Sequence, residues 1–254
     1  MASALRAYEY WVASYRRVWR GSVVSSVLNP VLYLTALGVG LGKLVNNGGH
    51  PLGISYIAFV APGMLAAVGM QIASFESTYP VMAAIRWTRQ YHAMLATPLR
   101  VRDILLGHQL YIASRVATSS AVYLVILAAF GALRSPYAVL AWPVTILIGV
   151  AFSAPIAAFA AWAKKDSMFA ALFRFGIVPL FLFSGTFFPV TRLPQGLRAV
   201  AYATPLWHGV DLVRKLSLGT ATPGLSLLHV AYLALWFVVG AVLARRAYAG
   251  RLLT

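Results

Sequence analysis

Five acidic side chains stand against 21 lysines and arginines in this chain, so the placement of each acid bears directly on what chemistry is open to it. Glu76 falls inside a long apolar run, and Arg115 and Arg174 fall at comparable depth in two later runs. A carboxylate in hydrocarbon is costly unless it is paired, which predicts an ion pair between Glu76 and one of these arginines. The alternative is that both arginines reach out to the headgroups while Glu76 sits in water at a helix end. His208 and Asp211 are three residues apart, too few ligands for a metal site, and a surface hydrogen bond is the expectation there. Ser184 precedes Gly185 and two histidines, His208 and His229, are available, which raises an intramembrane hydrolase; the text LFSG lacks the first glycine of a nucleophile turn. Gly38, Gly40, Gly42 and Lys43 resemble a phosphate loop superficially. Leu37 stands where its first glycine is required and Leu44 follows the lysine, so close helix packing is the better account. An ion-coupled secondary transporter would need several buried acids, and only Glu76 qualifies. No catalytic residue, metal site or resident cofactor is therefore expected in this chain.

The elements that must hold these groups are membrane helices. The chain is 61% hydrophobic and 10% charged, whereas soluble domains are roughly one quarter charged. A helix needs about 20 apolar residues to cross the hydrocarbon layer. Six runs meet or approach that length: Ser22 to Leu41, Ile54 to Pro80, Gln109 to Ala132, Val139 to Trp162, Met168 to Phe188 and Leu225 to Leu243. They are too long and too continuously apolar for the alternating strands of a membrane barrel. A net charge of +16 would suggest nucleic acid in a soluble protein, but here the basic residues gather at the ends of the runs, as at anionic headgroups. Arg16, Arg17, Arg20, Arg86, Arg89, Arg100, Arg102, Lys164, Lys165, Arg245, Arg246 and Arg251 fall on one side, which places both termini in the cytoplasm. The absence of cysteine excludes disulfides and thiolate ligands.

Three connecting segments have helical periodicity of their own. Leu5, Tyr8, Trp11, Val12, Tyr15 and Val18 recur at spacings of three and four, which reads as an amphipathic interface helix within residues 1–21 or as a plain extension of the first span. In the cytosolic loop 83–103, Trp87, Tyr91, Met94 and Leu95 share one stripe while Arg86, Arg89 and Gln90 lie elsewhere around the turn. Such a helix suits a groove on a cytosolic partner, or equally the headgroup layer. Pro98 ends it, and Asp103 caps the next helix. In the outer segment 187–224, Pro189, Pro194 and Pro205 divide two further short amphipathic helices, with Thr204 as an N-cap. Asn29, Pro30 and Tyr33 in the first run and Pro62 in the second suggest kinks that leave room for a cavity.

Several stretches resemble the membrane subunits of ABC-2 type transporters, in particular the NodJ-like group linked to lipo-oligosaccharide export, with daunorubicin-resistance permeases as relatives. They are NPVLYL from Asn29, YIAFVAPGMLAA from Tyr56, FEST from Phe75, WTRQYHAMLATPLRVRDILLG from Trp87, FSGTFFPVTRLP from Phe183 and ATPLWHGVDLVR from Ala203. The resemblance covers nearly all of residues 1–254 and implies one all-α integral membrane domain of six transmembrane helices, with an N-terminal interface helix, a cytosolic coupling helix and short extracellular re-entrant helices. It further implies a multi-pass subunit of the bacterial plasma membrane, paired with a second copy of itself or a homologous permease. Two separate cytosolic subunits would bind ATP and Mg and power export of a glycolipid, lipo-oligosaccharide or hydrophobic drug. On this resemblance, Arg86, Trp87, Arg89, Gln90, Tyr91, Met94 and Leu95 seat on the ATP-binding subunit, and Asn29, Tyr33, Gln71, Glu76, Phe187 and Phe188 line the substrate path.

Overall fold

The computed structural model of the chain describes residues 2–17, 19–42 and 53–253, and all regular structure among them is helical. Helix α1 (Ala2–Tyr15) precedes α2 (Trp19–Tyr33), which passes into π-helical turns over Leu34–Leu41. Then come α3 (Tyr56–Glu76), α4 (Gln90–Leu95), α5 (Val101–Ala129), α6 (Ala141–Trp162) and α7 (Ser167–Phe183). The short pair α8 (Gln195–Tyr202) and α9 (Pro205–Leu218) leads into α10 (Pro223–Leu252). Val18, Lys43 and Leu44 lie outside the described residues.

Among the described residues, four helical runs are long and apolar enough to cross a membrane: Tyr56–Trp87, Val101–Ala129, Pro136–Trp162 and Pro223–Leu252. The first expected span corresponds to α2 with its π-helical extension, and the fifth to α7, which falls short of the ~20 residues of a full crossing. Helices also outrun the hydrophobic stretches that announced them. Helix α5 begins at Val101 rather than near Gln109, and α10 continues past Arg245 and Arg246 to Leu252. Charged residues end the apolar stretch but not the helix, because Arg is itself a good helix former.

Most of α3 is buried within the subunit, against α5, α6 and α9, whereas α10 packs along α6 and turns most of its surface outward. Where helices touch most closely, small residues make the approach possible. A Cβ on Gly240 would come within 2.4 Å of Pro155 Cδ, and one on Gly69 within 2.7 Å of the Thr145 carbonyl oxygen. A Cβ on Gly107 of α5 would sit 2.6 Å from Ala7 Cβ. Helix α1 is thus seated on α5 through Ala4, Ala7 and Trp11, with Tyr8, Val12 and Tyr15 flanking; Leu5, expected on that face, is exposed. Helix α5 starts as expected: the Asp103 carboxylate accepts the Arg100 backbone N–H at 3.1 Å.

Candidate functional site

A cavity of about 230 Å³ opens between α2, α3, α5 and α7, lined by Tyr33, Met64, Gln71, Arg115, Tyr123 and Phe181 among others. Pro30 also borders it, where a missing backbone donor leaves an interior turn of α2 without its usual bond. Two of the residues expected on the substrate path, Tyr33 and Gln71, therefore face this space directly. Glu76 adjoins it through Arg115, whose Nε lies 3.3 Å from Glu76 Oε1. The pair is mostly shielded, with Arg115 12% and Glu76 21% exposed, and the Arg115 guanidinium also lies 4.1 Å above the Tyr15 ring of α1. Arg174, the other expected partner, is exposed in the π-helical turn of α7 and forms no ion pair among the described residues.

Phe187 touches the cavity at second hand, with its ring edge on Phe181 at 4.9 Å and its carbonyl accepting the Tyr56 hydroxyl at 3.3 Å. Phe188 belongs elsewhere: it packs with Val190, Leu193 and Ala201 in a separate outer cluster, away from the cavity. The expected path residue Asn29 lies on α2, and its side chain falls outside the described residues. What sequence reasoning missed is α5. Arg115, Ser119 and Tyr123 recur at four-residue spacing and put one face of α5 on the cavity, a periodicity visible in the sequence although no residue of this run was expected on the substrate path.

At the end of the helices that carries α4, the predicted partner-binding stripe divides in two. Trp87 is 60% exposed and Arg89 is exposed, while Arg86 donates to the Lys164 carbonyl oxygen. Gln90 is half-buried. Tyr91, expected on the docking surface, is 0% exposed, because its ring fills the junction of α1, α5 and α10. Its hydroxyl lies 2.9 Å from His108 Nδ1, and its ring meets Trp11 at 6.3 Å and Tyr248 at 5.6 Å. Trp11 in turn stacks on His108 at 4.1 Å. Burial pushes the Tyr91 phenol well above its ordinary value, so it stays neutral. Met94 and Leu95, expected on the same surface, are half-buried and packed in part against the core. The chain reverses between Trp87 and Gln90 through Arg89, whose φ of 50° is left-handed and costly for a residue with a Cβ. That backbone turn is what separates exposed Trp87 from buried Tyr91.

Where α3 begins, α9 is capped by Thr204, whose Oγ1 accepts the Trp207 N–H at 3.3 Å, and by left-handed Gly219. Its Arg214 donates to the carbonyls of Phe59 at 2.9 Å, Gly185 at 2.7 Å and Thr186 at 3.4 Å. The guanidinium also covers the Phe59 ring at 3.8 Å, and burial pulls its pKa down to about 10, which leaves it charged. Gly63 makes the room, since a Cβ there would meet Arg214 at 2.8 Å. One cation thus ties α9, the loop after α7 and the outer part of α3 together. Beside it, His208 and His229 face each other with Nδ1 atoms 2.8 Å apart, His229 Nε2 lies 3.1 Å from Asp211, and Lys215 lies 2.6 Å from the same carboxylate oxygen. Asp211 therefore reaches His229, and His208 is buried under Tyr232 rather than bonded at the surface. Ser184 pairs with Thr204 at 3.2 Å, so no serine–histidine pair forms there.

The sequence profile described as ABC-2 type transporter matches residues 8–218. Among curated proteins, the chain is 34% identical over 250 residues to nodulation protein J of Rhizobium leguminosarum bv. trifolii, covering 96% of this chain and 94% of the relative. It is 32% identical over 236 residues to nodulation protein J of Rhizobium meliloti (90% and 88% covered). The protein of the same name from Bradyrhizobium diazoefficiens is 30% identical over 246 residues (94% and 92% covered).

Proposed function

This chain belongs to the ABC-2 type transporter family, and from that premise we propose that it is the membrane-spanning subunit of an ATP-driven exporter of amphipathic molecules. The observation that carries this reading is the divided inner segment. Exposed Trp87 and Arg89 offer a partner the kind of aromatic and arginine contacts that dominate interfaces. Four residues after Trp87, Tyr91 is locked to α1, α5 and α10. A push on the surface therefore reaches the helices through a packed joint rather than a loose loop.

On this reading the subunit crosses the bacterial plasma membrane six times, with both termini in the cytoplasm. It pairs with a second copy or a homologous permease and is driven by two cytosolic subunits that bind ATP and Mg. Nucleotide can shift the inward–outward equilibrium only by binding its states unequally, and the Trp87–Leu95 joint would pass that difference on. The cavity beside α2 mixes apolar walls with Gln71, Arg115 and two tyrosines, which suits a glycolipid, lipo-oligosaccharide or hydrophobic drug carrying a polar head. The Arg214 tie is the natural outer closure, since it must part before α9 can move from α3.

Purification of the chain from its own membranes tests this: a cytosolic ATPase is expected to come with it, and Trp87→Ala to release that ATPase while the folded permease remains. Retention of the partner by Trp87→Ala, or recovery of a permease that moves cargo uphill alone, would overturn the reading.

A further inference from the structure

Two grooves adjoin at the end of the molecule where α6 and α10 terminate. The first, about 350 Å³, is lined by Arg86, Arg89, His92 and Arg251 with Ile85. The second, about 270 Å³, is lined by Trp162, Lys164, Arg246, Gly250 and Arg251. Arg251 borders both, and the bond from Arg86 to the Lys164 carbonyl stitches their walls together. Among the described residues none of these cations forms an ion pair. Of the five acids, Glu76 is held by Arg115, Asp103 lies beside Arg102, and Asp211 is held by Lys215 and His229. Glu9 on α1 and Asp166, exposed in the turn two residues beyond Lys164, form no ion pair with the groove residues among the described residues.

On the cytosolic placement of this end proposed above, we infer that the second groove, through Arg246 and Arg251, binds the phosphate of an anionic phospholipid headgroup from the inner leaflet, while Arg89 in the first remains with the partner surface. Three features favour a lipid over a protein segment. The grooves sit where two spans leave the hydrocarbon, at headgroup depth. Trp162 lines one of them and is largely exposed, as aromatic anchors at a bilayer interface are. Up the outward face of α10 from Arg246 run exposed Leu243, Val242, Val239 and Val238, an apolar track for an acyl chain whose phosphate rests on Arg246 and Arg251. Gly250 keeps the floor open, since a Cβ there would meet nothing within 4 Å.

Native mass spectrometry of the full chain, released from vesicles of equal phosphatidylglycerol and phosphatidylcholine, tests the site. Wild type is expected to retain phosphatidylglycerol preferentially. With ~1 kcal/mol per surface cation, each arginine removed should cut that preference about fivefold. Arg246→Gln with Arg251→Gln should then nearly abolish it, while Arg245→Gln, outside both grooves, leaves it intact. Equal retention of the two lipids by wild type, or an undiminished preference in the double variant, would overturn the inference. So would displacement of the lipid by inorganic phosphate at matched ionic strength, which would make this a free-anion site. Should the double variant fail to fold, wild type at raised salt decides: loss of the preference supports the site, and persistence overturns it. Because the chain has no cysteine, Gly250→Cys carries a unique thiol. Protection from a membrane-impermeant maleimide in intact cells supports the cytosolic placement separately, and labelling there overturns that placement whatever the lipid result.

Discussion

The two ends of this molecule are held by different physics. At the inner end Trp11, Tyr91, His108, Tyr111 and Tyr248 meet ring against ring, joining α1, the segment after α3, α5 and α10 through broad buried contact. At the outer end α9 is held to α3 by Arg214 and a chain of polar groups, with charge directed at backbone carbonyls. Packed rings resist any displacement, because their attraction is summed over many contacts and falls off together. A few directed hydrogen bonds hold firmly until they are exchanged for others, for instance with water or a substrate head. On the proposed function, a subunit pushed from one side and opened at the other would need a stiff joint at the first and a breakable one at the second.

The largest expected effect is at the stiff joint. Tyr91→Ala should destabilise the subunit by about 3–5 kcal/mol, whereas Tyr91→Phe, which keeps the ring and loses the bond to His108, should cost only about 1 kcal/mol. Thermal unfolding in detergent separates them, and equal losses would show that the hydroxyl rather than the packing matters. Next comes Arg214→Ala, which strands the carbonyls of Phe59 and Gly185 and should cost about 2–3 kcal/mol. Arg214→Lys should restore less than half, since a lysine cannot serve a forked set of acceptors. Full rescue by lysine would mean that charge alone holds the outer end.

A smaller loss, about 1 kcal/mol, is expected for Glu76→Gln or Arg115→Gln, with the two non-additive in a double-mutant cycle. Strict additivity would show that the pair contributes nothing to the cavity's wall. The outer end alone should also carry a pH signature. Burial, with repulsion from His229, lowers the His208 pKa from its ordinary 6.5 to about 4. The unfolded chain therefore takes up a proton below pH 6.5 that the folded chain refuses until about pH 4, and stability falls across that window as pH drops. His208→Gln should flatten the slope of unfolding temperature against pH in that range; an unchanged slope would assign it to other groups.

Much of this was legible beforehand, for a reason particular to membranes. Uncharged runs and the arginines between them marked where α3, α5, α6 and α10 would lie, because hydrocarbon tolerates so few alternatives. Thr204 before Pro205 announced the start of α9 for the equally local reason that capping acts within one turn. The division of the inner stripe was not legible: Trp87 and Tyr91 are four apart, a spacing that puts both on one face of an unbroken helix. Only the reversal at Arg89 turns one outward and the other in.

The same limit governs the charges and histidines. The sequence predicted either a cation beside Glu76 or water at a helix end, and Arg115 and Arg174 look alike in sequence. It was the seating of α5 between α1 and α3 that brought Arg115 within 3.3 Å and left Arg174 outside. His229 lies 21 residues from His208, and no local pattern joins them. Helix positions followed from the sequence because hydrophobic transfer and capping are local or additive along the chain. The partners of Arg214, Tyr91 and His208 were decided only in the tertiary structure, because they depend on how helices turn about their axes when small residues let them close together.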